Sequence, residues 1–144
     1  MRVKIPFIGE YTLEEGDGLS KSGEVSYNGN TAYAEGELGY YKVKYFGAVK
    51  VAASGGTVNT ASDGITVKNA DEVTVLFTCD TNYTLTSDVF CEPDPKKKLL
   101  GKEVDKRSVL EVLENAAAMP YESLKERHVF DYRSLYGRVT LTVS

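Results

Sequence analysis

Between residues 41 and 81 the chain alternates apolar and polar side chains at a period of two, and that alternation confines it to a β-rich fold. Tyr41, Val43, Tyr45, Val49, Val51 and Ala53 hold one parity, and Lys42, Lys44 and Lys50 hold the other. Successive side chains of a strand point to opposite faces, so this is a half-buried strand, with Gly47 as a candidate bend. Ser54-Gly55-Gly56 tolerates the positive φ that a hairpin turn demands, and Thr57 to Thr60 starts a return strand, giving a meander. Ser62-Asp63-Gly64 and Asn69-Ala70-Asp71 mark two more turns around a short strand, Ile65 to Lys68. Glu72 to Thr81 then alternates Val73, Val75, Phe77 and Cys79 against Thr74, Leu76 and Thr78. Leu76 on the nominal outer face implies that both faces are partly covered, as in a sandwich. The first forty residues, broken by Gly at 9, 16, 18, 23, 29, 36 and 39, read as short strands and turns such as Glu24 to Tyr27 and Thr31 to Ala34.

Past residue 82 the period changes. Pro93-Asp94-Pro95 and Lys96-Lys97-Lys98 read as a loop with a solvated charge run. Asp105 is placed to cap a helix over Lys106 to Met119, since a short acceptor side chain satisfies an orphan N–H of the first turn. Val109, Leu110, Val112, Leu113, Ala116 and Ala117 gather on one side of that helix. Pro120 ends it and opens a second helix, Tyr121 to Tyr136, for which Gly137 fits a C′ position. Val139, Leu141 and Val143 close the chain on a strand. The fold class expected is therefore mostly β (α+β): an antiparallel β-sandwich segment, two C-terminal α-helices and a final short strand. At 144 residues this is one structural domain, with residues 1–95 forming the sandwich and 96–144 the helical segment packed on the sheet.

Charge and composition narrow the function classes. A net charge of −4 disfavours a nucleic-acid partner, which needs a basic surface. No stretch approaches the roughly 20 apolar residues that span a bilayer, so no membrane partner is expected. The start, with Arg2 and Lys4 before a short mixed segment, has no signal-peptide pattern and leaves localisation open. Cys79 and Cys91 are too few for a disulfide framework and form no CxxC pair; Cys79 reads as a buried small hydrophobe, and Cys91 lies in an irregular stretch. One His and two Cys cannot supply a zinc set, and no GxGxxG or GxxxxGK loop is present, so no metal, cofactor or catalytic residue is assigned.

Three features allow a functional reading beside a plain one. His128 shares an arc of the second helix with Tyr121, Leu124, Tyr132 and Leu135, with Asp131 at its edge, which is either a tuned acid/base pair or a buried pair orienting the helix on the sheet. Phe130 falls opposite that arc, among Ser123, Glu126 and Ser134, either as an ordinary exposed ring or as a contact for a further domain. Tyr27, Tyr33, Tyr40, Tyr41 and Tyr45 cluster within twenty positions, either as cross-strand packing or as a carbohydrate-binding face.

Two segments resemble glycoside hydrolase family 95, which contains α-L-fucosidases and some α-galactosidases. Val49-Lys50-Val51, Ser54-Gly55-Gly56-Thr57-Val58, Asp63-Gly64-Ile65-Thr66-Val67, Asn69-Ala70-Asp71-Glu72-Val73-Thr74-Val75 and Thr81-Asn82-Tyr83 resemble the later part of its N-terminal β-domain. Pro120 to Val139, with His128-x-x-Asp131-Tyr132, is similar to its passage from β-domain to helical linker. The resemblance implies a non-catalytic fragment of a multidomain enzyme. The family's catalytic acid and base lie in a downstream (α/α)6 barrel, so none is carried onto any position here, and the implied partner is that catalytic domain of the parent chain. A free-standing carbohydrate-binding module using the tyrosines is the alternative.

Overall fold

The computed structural model describes residues 2–3, 11–12, 20–39 and 41–138. The strands are β1 (Arg2–Val3), β2 (Tyr11–Thr12), β3 (Ser20–Asn28), β4 (Thr31–Leu38), β5 (Val43–Ser54), β6 (Thr57–Ala61), β7 (Gly64–Lys68) and β8 (Glu72–Thr81). The helices are α1 (Ser87–Cys91), α2 (Lys106–Ala117) and α3 (Tyr121–Tyr136). A large sheet runs β2-β3-β4-β5-β8 and a small one β1-β7-β6, every neighbouring pair antiparallel. The mostly β architecture followed by two C-terminal helices is as the sequence predicts. The closing strand expected at 139–143 lies outside the described residues.

The Gly-Gly corner differs from the expectation in an instructive way. Gly55 and Gly56 do take φ of +71° and +67°, but β5 does not turn back on β6. Instead β5 pairs with β8, from Ser54↔Glu72 to Tyr45↔Thr81, and β6 pairs with β7, from Thr57↔Lys68 to Ala61↔Gly64. The run from β5 to β8 is thus one long hairpin whose turn is Ser62-Asp63. It is bent at Gly55-Gly56 and Asn69-Ala70-Asp71 so that its tip folds over the face of the large sheet, the way strands change sheets at a sandwich corner. A Cβ on Gly56 would stand 2.2 Å from the Lys68 carbonyl oxygen and 2.6 Å from the Ala70 nitrogen, so only glycine fits the corner.

The folded-over tip makes the core. Ile65 and Val67 of β7 pack on Val51 and Ala32, with Tyr27, Ala53, Ala70 and Val73 around them. The opposite face of the large sheet carries Phe46 and Ala48, both buried, and it receives α2, which lies on β5 and β8. Val109 and Leu113 are the buried residues of α2, and Asp105 caps it as expected, its side chain accepting from the Ser108 amide at 3.1 Å. Both faces of β8 are thus partly covered, as Leu76 implied, the Val73 row by the hairpin tip only at Val73 and the other row by α2. Leu76, Thr74 and Thr78 turn toward the helix side, while Val75, Phe77 and Cys79 are exposed. Cys79 is therefore no buried hydrophobe. At Gly47 the ladder continues without a bulge, matched to Ala34 and Cys79.

Residues 82–105 are more ordered than a loop. The short helix α1 buries Val89, and Leu99 is buried nearby. Lys98 donates to the Phe90 carbonyl at 3.2 Å, while Lys96 and Lys97 stay exposed as a solvated run. Asn82 ties the region to the sheet: its Oδ1 accepts from the Lys44 amide at 2.9 Å, and its Nδ2 donates to the carbonyls of Lys42 and Lys102, both at 3.0 Å. Helix α3 starts at Pro120 as predicted, yet none of its residues is buried, so it does not dock on the sheet. Its C-cap, Gly137, has φ −72° rather than a left-handed value.

Candidate functional site

A concavity lies where β3, β4 and β5 meet the start of α2. It is an open cleft of about 710 Å³ bounded by Glu24, Glu35, Glu37, Lys44, Tyr45, Glu103, Val104 and Lys106, with the backbone of Gly23 and Gly36 in its floor. The sheet register assembles it: Glu24 stands across from Glu35 and Glu37 across from Lys44. Helix α2 then brings Lys106 to Glu35, and the segment before it brings Glu103 to Lys44, each as an ion pair. Lys42 joins Glu37 at 2.9 Å. The Lys106 ammonium also sits 5.3 Å from the centre of the Phe46 ring, which stacks with Tyr33 at 6.1 Å. These contacts pin the helix start to the sheet. Desolvation raises the Tyr45 phenol above its ordinary value.

Chemically the cleft offers carboxylates, ammonium groups and a phenol, and among the described residues its lining holds no His, Ser or Cys. Among the described residues no group of acidic, His or Cys side chains is placed to hold a metal ion. The described acidic side chains of the cleft form a mixed-charge surface with Lys44 and Lys106, facing the docked helix.

The residues singled out from sequence are scattered. His128 is exposed rather than buried; its ring lies 6.3 Å from that of Tyr132, and no hydrogen bond joins it to Asp131. Both line a shallow space of about 650 Å³ between α2 and α3, together with Val112, Ala116, Met119 and Leu124. The arc expected to face inward thus lines this space rather than packing on the sheet. Phe130 is 78% exposed and, with Val129, floors a groove along α3 edged by Glu122, Lys125, Glu126 and Arg133. The described tyrosines of this cluster form no single platform. Tyr27 belongs to the core side of the large sheet and Tyr33 to the α2 side, Tyr41 sits in the β4–β5 turn, and Tyr40 lies outside the described residues.

Sequence reasoning missed the cleft, because Glu35 and Lys106 are 71 positions apart and no local motif joins them. The one signal on offer was the run of glutamates at 24, 35 and 37 beside lysines at 42 and 44. Comparison with known proteins adds no relative: no family model and no curated protein matches the chain.

Proposed function

We propose that this chain is a non-catalytic β-domain that holds a neighbouring domain in place through α3, as the N-terminal domain of an α-L-fucosidase-like glycoside hydrolase would hold its (α/α)6 barrel. The observation that carries this reading is the state of α3. It is a helix of 16 residues with none buried, and it displays Phe130, Leu135, Tyr136, Tyr132 and Tyr121 to solvent. A helix of that length gains most of its stability from packing an apolar face, so one displaying so many rings is built to be covered. The segment that resembles the family's β-domain-to-linker passage contains this same helix, which is what points the reading to that partner. The ion-paired cleft supports the reading from the other side, because it fixes α2, and hence the base of α3, to the sheet.

The test has two arms. The chain alone is assayed on nitrophenyl α-L-fucoside and α-galactoside, with no turnover expected above a heat-inactivated control; robust hydrolysis removes the reading. An (α/α)6 catalytic barrel of an α-L-fucosidase is then titrated with the chain by calorimetry. Binding is expected, weakened at least ten-fold by Phe130→Asp with an unchanged melting curve.

A further inference from the structure

The turn between β3 and β4 sits where the two sheets are tied together. The ladder of these strands ends at Asn28↔Thr31, which leaves Gly29 and Asn30 as a two-residue hairpin loop, with Gly29 at φ +56° as such a loop asks of its first residue. Asn30 and Val51 of β5 bond twice, the Val51 amide donating to the Asn30 carbonyl at 2.9 Å and the Asn30 Nδ2 donating to the Val51 carbonyl at 2.8 Å. The Thr60 hydroxyl of β6 donates to the Gly29 carbonyl. The loop therefore joins the large sheet to the small one. Asn28 at its entrance is different: it is exposed, and its carboxamide makes no hydrogen bond among the described residues. Gly29 lies beyond the last paired residues, so the ladder makes no use of its N–H. An unheld asparagine amide followed by glycine is the arrangement in which a backbone nitrogen most readily reaches the side chain, because glycine has no Cβ to block the approach. Of the six asparagines only Asn28 precedes a glycine; the others precede Thr31, Thr60, Ala70, Tyr83 and Ala116. Asn30 and Asn82 also hold their carboxamides in hydrogen bonds.

We propose that Asn28-Gly29 is a site of spontaneous covalent modification at this seam. The Gly29 nitrogen, having lost its proton to solvent base, attacks Cγ of Asn28 and expels ammonia, which closes a five-membered succinimide ring between the two residues. Water then opens the ring at one of its two carbonyls. Opening at one leaves aspartate at position 28; opening at the other leaves isoaspartate, in which the main chain runs through Cγ. Each event consumes one water, releases one ammonia and turns a neutral amide into a carboxylate, with no oxidant or cofactor taking part. Isoaspartate lengthens the backbone by one carbon at the entrance of a two-residue loop. The pairing Asn28↔Thr31 and the bonds to Val51 and Thr60 then cannot all keep their places. The modification thus acts on the junction of the two sheets rather than on an idle surface loop.

Mass spectrometry of the aged protein tests this directly. The full chain is incubated folded, at neutral and at mildly alkaline pH, and its tryptic peptide from Ser22 to Lys42 is followed over time, with isoaspartate identified by electron-transfer fragmentation. The peptide should gain the mass of an amide-to-acid conversion at position 28, faster at the higher pH, and part of the product should be isoaspartate. Asn28→Ser should abolish the gain. The same chain unfolded in urea supplies the rate free of the fold. A folded chain that stays unmodified while the unfolded one reacts overturns the proposal, as does a gain that falls on Asn30 instead. The isoaspartate form, separated by ion exchange, should melt below the Asn28→Asp variant, which carries the new charge without the extra backbone carbon. Equal melting of the two overturns the effect on the seam.

Discussion

Asn82 is 4% exposed, one of two buried polar residues among those described, and its carboxamide is fully occupied by three backbone groups from the start of β5, the turn before it and the segment before α2. Lys42, whose carbonyl is one of them, has φ +57°, a conformation that costs a non-glycine residue about 1 kcal/mol. The side chain of Asn82 is thus what holds a strained turn shut. Asn82→Ala should lower stability by about 2 to 4 kcal/mol, since each buried group left unpaired costs about 1 to 3 kcal/mol. Asn82→Asp should be no better, because a carboxylate cannot donate to the two carbonyls. Urea unfolding of both variants checks this. Asp88 makes a contribution that depends on pH. The Thr86 hydroxyl, and then the Lys102 ammonium at 3.2 Å, hold its carboxyl below the ordinary 3.8. A group held lower in the folded than in the unfolded state adds stability above its unfolded value and loses it on acidification through its folded value. Asp88→Asn should therefore be slightly less stable than the wild type at neutral pH, and the two should converge in melting temperature as the pH falls well below 3.8.

The elements differ in how plainly the sequence announces them. Helix α2 is legible because Asp105, the apolar stripe and Pro120 agree on its start, face and end. The strands β5, β7 and β8 are legible from alternation alone, but alternation does not say which face is inside. In β8 both rows are apolar enough to be buried and both are in part, the Leu76 row by α2 and the other at Val73 by the hairpin tip. Helix α1 spans five residues, too few to show a period. The charged cleft is illegible for another reason, since register and a helix from far along the chain build it. Helix α3 shows how far an amphipathic arc can be trusted: His128, Leu124 and Leu135 share a face, yet a face is buried only if something lies against it. Leu113, 1% exposed in α2, and His128, exposed in α3, should respond accordingly. Leu113→Ala should cost about 2 to 5 kcal/mol, while His128→Ala should stay within about 0.5 kcal/mol, as thermal unfolding followed by circular dichroism will show.

At the scale of the whole molecule, the hairpin that runs from β5 through its bent tip to β8 implies an order of assembly. Its strands pair from Ala61↔Gly64 at the tip to Tyr45↔Thr81 at the open end, and each pair formed brings the next into reach. Loop closure is cheap at every step of such a zipper, although the finished sheet joins residues far apart in the chain. The obstacle lies at the corner, where the zipper must change direction, and where the Asp71 amide donates to the Ser54 carbonyl at 2.8 Å. Gly56→Ala, which puts a methyl group into that corner, should slow folding in proportion to the stability it removes. Leu113→Ala, on a helix that docks once the ladder exists, should act mainly by speeding unfolding. Refolding and unfolding rates across urea would separate the two, and would place the rate-limiting event at the Gly56 corner.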